Sequence, residues 1–466
     1  MYGDRLYAGL IPNGIIDEHI QAHRHREFDA EALMETSPRL DRYKAFVDES
    51  QMATIYEVAR SLAGLRVLHV NTTAEGGGVA EILHELIPLM EELGIKHDWK
   101  VIQLDEDSGY FTARLVDMLQ GYDTGKLPEQ EKEVFLQKLH HAVRSREDYQ
   151  ADMYFIHDFQ LVPLAAFFPW MRPATWFCHV DTDHPNPSAQ QYIRQFLDPY
   201  AVACFNSRAS VFKDLPPEKT QVVTLGIDPF RVKNRYLPKA RGMEILARCG
   251  IDTARPLITQ VSRFGIWKNP WQVVDIYRLI KQQMPSVQLA MVGAMEAKDD
   301  VKAMEILTDL QQQYVKGDPD IHLLSDPTLI DHEAVNAFQR YSSVILQRSI
   351  REGFGFTVTE ALWKNQPVIG TCVTGLQMQI THGYNGYLVD DTEAAAGYTL
   401  NLLQDRDLWR KLGENAHESV RKQFLFPTMI LGYLQALARV QAGSPALVEP
   451  ETALTETTET EAELAA

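Results

Sequence analysis

Several things are scarce in this chain of 466 residues. Cysteine occurs only at positions 178, 204, 249 and 372, and nowhere as C-x-x-C. That count and spacing exclude a disulfide framework and a thiolate metal site, and fit buried free thiols in a reducing compartment. No apolar run approaches the roughly 18 residues a membrane span needs. The opening MYGDRLYAGL lacks the charged segment and apolar core of a secretion signal. The expected address is the cytoplasm, with no membrane partner. Positive charge is also short: 45 Lys and Arg stand against 63 Asp and Glu, a net charge of −18. Nucleic acid is therefore not an expected partner, because phosphate backbones need clustered cations. An anionic small molecule at a local basic site is not excluded.

The material that is present suffices for two cores: hydrophobic residues make up 45% and charged residues 23%. A single core rarely grows past about 250–300 residues. Residues 1–62, with "FDAEALMET" and "ATIYEVARSLAG" at helical spacing, read as a helical lead-in packed on a first domain. From 63 to 230, "LRVLHVN", "KVIQL" (100–104), "MYFIHD", "ATWFCHVD" and "AVACFNS" read as buried strands with helical segments between most of them. That alternation predicts an α/β fold with a parallel sheet covered on both faces. The Pro-, Arg- and Lys-rich stretch 224–242 reads as a linker. A second series of strands fills 243–426: "PLITQVSR", "VQLAMVG", "IHLLSD", "SSVILQRS", "QPVIGT" and "GYLVDD". The helix expected over 427–441 crosses back to the first domain. Residues 444–466 hold six Glu and no Lys or Arg, and read as a disordered acidic tail.

Two facing Rossmann-like, doubly wound domains leave an interdomain cleft, and ligands in such sheets sit beyond the carboxyl ends of the strands. Residues of chemical interest do follow the strands. Glu352 and Glu360 flank Gly353-Phe354-Gly355, with Phe356 and Thr357 opening a helix. A turn of that kind brings backbone N–H groups and a helix dipole to an anion. Glu360, about two turns into the helix, is suited to a pair of sugar hydroxyls. Arg263 and Lys268, just past "LITQVS", can neutralise a departing diphosphate; otherwise they are solvated surface charges. Gly76, Gly77 and Gly78 form either a structural turn or a phosphate contact, but lack the full G-x-G-x-x-G spacing. His157-Asp158 and His179-Val180-Asp181 end two strands, where histidine is structural about as often as it binds sugar hydroxyls. Asp181-Thr182-Asp183 is a D-x-D, but it lies far in the chain from the cations, and no metal is expected. Asp331-His332-Glu333 reads as a helix start.

The Arg263/Lys268 pair with Glu352-x7-Glu360 resembles the donor site of glycosyltransferase family 4, which has the GT-B fold. Within it, "HVNTTAEGGGVAEIL", "IHDFQLVPL", "WFCHVDTDHPNP", "QVSRFGIWKNP" and "QRSIREGFGFTVTEALWKNQPVI" are most similar to the trehalose glycosyltransferring synthases. The resemblance implies a retaining transfer of a hexose, glucose first, from a nucleoside diphosphate sugar to a small sugar-like acceptor, without cofactor or metal. It implies a diphosphate grip for Arg263 and Lys268, ribose binding for Glu360, and a place beside the transferred sugar for Glu352 and His179. Backbone amides from Phe354 through Thr357 would hold sugar and phosphate, and Gly76–Gly78 would border the donor. His157, Asp158, Asp181 and Asn186 would meet the acceptor. Two departures stand out: Gly265 replaces an expected Asp, and "VTGLQMQI" lacks an expected Gly-Gly pair. The donor base, an acceptor other than glucose (glycerate or a sugar phosphate), a non-catalytic nucleotide-sugar sensor and a homodimer all remain open.

Overall fold

The computed structural model describes residues 39–75, 77–293 and 301–443. The expected helix at 28–36, Gly76 and the acidic tail lie outside them. The first sheet holds β1 (Arg66–Asn71), β2 (Lys96–Val101), β3 (Met153–His157), β4 (Ala174–Cys178), β5 (Val202–Phe205) and β6 (Thr220–Val222), in the order β2-β1-β3-β4-β5-β6. The second holds β7 (Leu257–Val261), β8 (Gln288–Val292), β9 (Ile321–Leu324), β10 (Val344–Gln347), β11 (Val368–Gly370) and β12 (Gly386–Leu388), in the order β12-β11-β10-β7-β8-β9. Every pairing between these strands is parallel. Strand order reverses between β1 and β3 in one sheet and between β7 and β10 in the other. Those switch points are where an open α/β sheet opens a crevice for a ligand.

Two elements differ from the sequence reading. β2 begins at Lys96, four residues before the expected "KVIQL". As an edge strand it keeps one residue buried and most of the rest partly exposed, so it carries no continuous apolar run to mark it. β6 was not anticipated: three partly buried residues, Thr-Gln-Val, give too short a pattern.

Four helices matter for the site: α1 (Glu49–Leu62), α2 (Gly78–Glu92), α3 (Phe356–Trp363) and α4 (Phe426–Ala442). α4 has Pro427 in its first turn, where a missing N–H is harmless, and Gly443 at φ 65° ends it. Its buried Met429, Ile430, Tyr433, Leu434 and Leu437 face the first sheet and α1. Each stabilises by roughly 1.5–3 kcal/mol through burial. The chain therefore passes between the domains twice, and the two passages touch. Ile227 N–H donates to the Phe424 carbonyl at 2.8 Å and Phe426 N–H to the Ile227 carbonyl at 3.1 Å. Gly226 lies so close to this point that a Cβ there would stand 2.5 Å from the Leu425 carbonyl oxygen.

Candidate active site

The second domain supplies a charged cluster at its switch point. The segment after β7 turns through Ile266–Lys268, and Gln260 Nε2 pins the Lys268 carbonyl at 2.9 Å. Lys268 Nζ thereby meets the Glu352 carboxylate, which follows β10 and also accepts from Ser349 Oγ at 3.1 Å. Arg263 is exposed and has no partner among the described residues. α3 starts at Phe356 with Gly355 as its cap at φ 88°, a left-handed turn that glycine adopts without strain.

Across the crevice, α2 starts at Gly78, and a Cβ on that glycine would touch the Phe356 ring at 3.4 Å. Two helix N-termini from opposite domains thus converge, each presenting unpaired N–H groups and a positive dipole end. His179, just past β4, lies against the Glu352 loop: a Cβ on Gly353 would be 2.7 Å from the His179 carbonyl oxygen. Further contacts close the rim. Arg351 donates to Asp183 at 3.1 Å, Thr374 Oγ1 donates to Asp183 at 3.0 Å, and Tyr122 meets Trp267 edge-on at 5.1 Å.

Glu360 is the fifth residue of α3, a little over one turn in rather than two, and is buried. Its carboxylate lies 2.8 Å from Lys233 Nζ and accepts from Gln339 Nε2 at 3.0 Å. Burial alone would raise this carboxyl, but Lys233 and Lys364 together hold it below its ordinary value. Lys233 also reaches Glu81 of α2 at 2.8 Å, so one linker lysine joins carboxylates of both domains. Glu360→Gln is expected to destabilise the fold by about 2 kcal/mol, less than the ~3–5 typical of a broken buried pair because Glu81 still compensates Lys233. It should also weaken donor binding. Chemical denaturation and donor titration check both effects, and unchanged stability would mean that Lys233 is satisfied without Glu360.

The first-domain expectations need correction in part. His157 is buried with both ring nitrogens taken by His69 and His179, so it does not reach the cleft. Asn186 caps the helix Pro187–Arg194 through its carbonyl oxygen and spends its amide hydrogens on the Asp123 and Gly125 carbonyls at 2.8 and 2.9 Å. It has no hydrogen left for an acceptor. Asp158, at φ 63°, accepts from the His179 backbone N–H at 2.9 Å, and loss of hydration raises its carboxyl above the usual range. Asp181 is buried beside Ser210, and burial together with the Asp183 charge pushes it up to about 6. The two acids of the D-x-D diverge, Asp181 toward Ser210 and Asp183 toward Arg351. No group of three or more His, Cys, Asp or Glu among the described residues is arranged to hold a metal. Sequence reasoning missed Lys233, the Arg351–Asp183 contact, and His69 and His97. His69 lies in the expected strand "LRVLHVN", but His97 precedes the expected "KVIQL", so nothing in the sequence paired the two imidazoles.

Comparison with known proteins bears on the family and the fold. The chain matches a profile described as "Trehalose synthase, N-terminal domain" over residues 69–212 and one described as "Glycosyl transferases group 1" over 244–419. A trehalose synthase of Thermococcus litoralis is 38% identical over 399 residues, covering 86% of this chain and 96% of that protein. One from Rubrobacter xylanophilus is 34% identical over 403 residues, with 85% and 96% covered. Among solved structures, an α,α-trehalose-phosphate synthase (UDP-forming) from Burkholderia vietnamiensis superposes with a TM-score of 0.67 at 14% identity, covering 82% of this chain and 99% of that one. Two six-stranded parallel sheets facing across a crevice, shared with that structure, define the GT-B fold. The chain belongs to the trehalose synthase family of group 1 glycosyltransferases. It is a retaining glycosyltransferase, and no helix among its described residues is long and apolar enough to cross a membrane.

Proposed function

We propose that this enzyme moves glucose from a nucleoside diphosphate glucose to free glucose, giving α,α-1,1-linked trehalose in the cytoplasm. The observation that carries the reading is the meeting of Lys268, Glu352, two helix N-termini and the His179 backbone at one place in the crevice. Arg263, Lys268 and the helix ends neutralise the diphosphate as the bond between the sugar C1 and the phosphate oxygen breaks. The acceptor hydroxyl forms the new C1–O bond from the same face, and its proton passes to the departing phosphate oxygen. This route needs no side-chain nucleophile, and the nearby carboxylates suit it poorly as nucleophiles: Glu352 is held by Lys268 and Ser349, and Asp183 by Arg351 and Thr374. An arriving diphosphate competes with Glu352 for Lys268, which frees Glu352 to orient sugar hydroxyls. Glu360 takes the ribose hydroxyls, Asp158 and Asp181 border the acceptor, and domain contact supplies orientation.

A matrix of nucleoside diphosphate sugars against small acceptors, read by nucleoside diphosphate release and NMR, tests this. The expected product is an α,α-1,1-linked disaccharide from glucose as acceptor. Retained transfer to glycerate or a sugar phosphate instead would overturn the acceptor assignment and leave the class of reaction in place. Binding without turnover for every pair would overturn the enzymatic reading.

A further inference from the structure

Four histidines cross the first sheet on a diagonal. In β1 and β2, Val67 is paired with His97, and His69 lies two residues further along β1. In β1 and β3, His69 is paired with Phe155, and His157 lies two residues on. In β3 and β4, His157 is paired with Phe177, and His179 again lies two residues on. Because side chains two apart share a face, this constant offset places all four imidazoles on one side of the sheet. The diagonal climbs to the carboxyl ends, where the crevice lies. α4 covers the same face, with Tyr433 packed near His69, Phe155 and Phe177.

The rings are joined edge to edge. His97 Nδ1 and His69 Nε2 are 2.8 Å apart, His69 Nδ1 and His157 Nε2 2.9 Å, and His157 Nδ1 and His179 Nε2 3.1 Å. Adjacent planes differ by only 22°, 21° and 24°, so each hydrogen bond lies close to the plane of both rings. His69 and His157 have both nitrogens engaged. A neutral imidazole has one donor and one acceptor nitrogen, so each of these rings passes the direction of its neighbour's hydrogen bond to the next. A neutral chain of this kind has only two tautomeric arrangements, all pointing toward His97 or all pointing toward His179.

The far end decides between them. His97 Nε2 is buried, and no group among the described residues reaches it. If the chain points toward His97, that atom is a buried N–H without an acceptor. If it points toward His179, the atom is merely an unused lone pair, the cheaper of the two defects. With every Nδ1–H donating toward the crevice, His179 receives at Nε2 and must hold its own proton at Nδ1, its one nitrogen outside the chain. We propose that His97, His69 and His157 are positioning residues that fix His179 in the Nδ1–H tautomer, so that it offers the crevice a neutral hydrogen-bond donor for a sugar oxygen. The catalytic consequence rests on the reading of His179 as a neighbour of the transferred sugar; the tautomer itself does not.

Nitrogen-15 NMR of histidine-labelled full-length protein tests the tautomer directly. The expected spectrum shows His179 protonated at Nδ1 and bare at Nε2, as are His69 and His157. Protonation of His179 at Nε2 overturns the proposal whatever the activity is. Two substitutions at His97, three rings from the crevice, then test the consequence. His97→Gln can still donate an amide hydrogen to His69 Nε2 and should keep both the tautomer and a near-normal kcat. His97→Glu can accept from His69 Nε2, which reverses the chain and moves the His179 proton to Nε2. It should lower kcat by roughly tenfold or more with little change in donor KM. Equal loss of activity in both variants, with the His179 tautomer unmoved, would make the chain a packing device and overturn its positioning role. A reversed tautomer with unchanged kcat would retain the chain and remove His179 from the reaction.

Discussion

Lys268→Ala is expected to lower kcat by roughly 10²–10³-fold, the loss typical when one preorganised donor is taken from developing charge. In the structure Lys268 is anchored from behind, by Gln260 on its carbonyl, and its ammonium reaches Glu352 at the switch point of the second sheet. The diphosphate gains negative charge as the sugar departs, so a cation there acts more strongly on the transition state than on the bound donor. The loss therefore falls on kcat more than on donor KM. Stability should hardly change, because a partly exposed ion pair of this kind contributes at most about 1 kcal/mol. Steady-state kinetics with thermal melting separate the two effects. A kcat within about twofold of wild type would remove Lys268 from leaving-group stabilisation.

Gly353→Ala should be nearly as damaging for a different reason. The backbone at Gly353 is not in the left-handed region, so alanine does not strain its own loop. Its methyl would instead stand 2.7 Å from the His179 carbonyl oxygen and 3.3 Å from the Asp181 nitrogen, both in the other domain. The overlap is relieved only by moving the two halves of the site apart, and a misplacement near 1 Å can cost about 100-fold in rate. The folded protein should melt near the wild-type temperature while turnover collapses. Gly265→Ala is the matched control, since its added methyl meets nothing within 4 Å. Normal turnover in Gly353→Ala would mean that chemistry occurs with the domains further apart than the structure places them.

How much of this was legible beforehand depends on what each feature requires. Lys268 and Glu352 could be brought together beforehand because each lies in the loop after a buried strand, and the Rossmann topology sends such loops to one crevice. The start of α3 was legible from Gly355, a cap residue followed by a helical run. Asn186 was misplaced because an Asn before Pro187 looks the same in sequence whether it binds a sugar or caps a helix. The histidine diagonal was hidden because it depends on strand register: His97 and His69 are 28 residues apart and meet only through the offset between β1 and β2. Lys233 sits in a linker, where charge is ordinarily solvated, and its two carboxylate partners come from different domains.

The touching passages at Ile227 and Leu425 have a mechanical consequence. Two strands of backbone tied side by side act as a door pin: the domains can swing about that line but can hardly slide along it. Lys233, Glu81 and Glu360 line the same small cavity as Gly226 and Ile227, close to the pin, so a swing barely changes the distances among them. Arg351–Asp183 and Tyr122–Trp267 also join the two domains, and a swing parts them. With Glu360 on the ribose as proposed, the nucleoside end of a donor is gripped beside the pin, where a swing alters the site least.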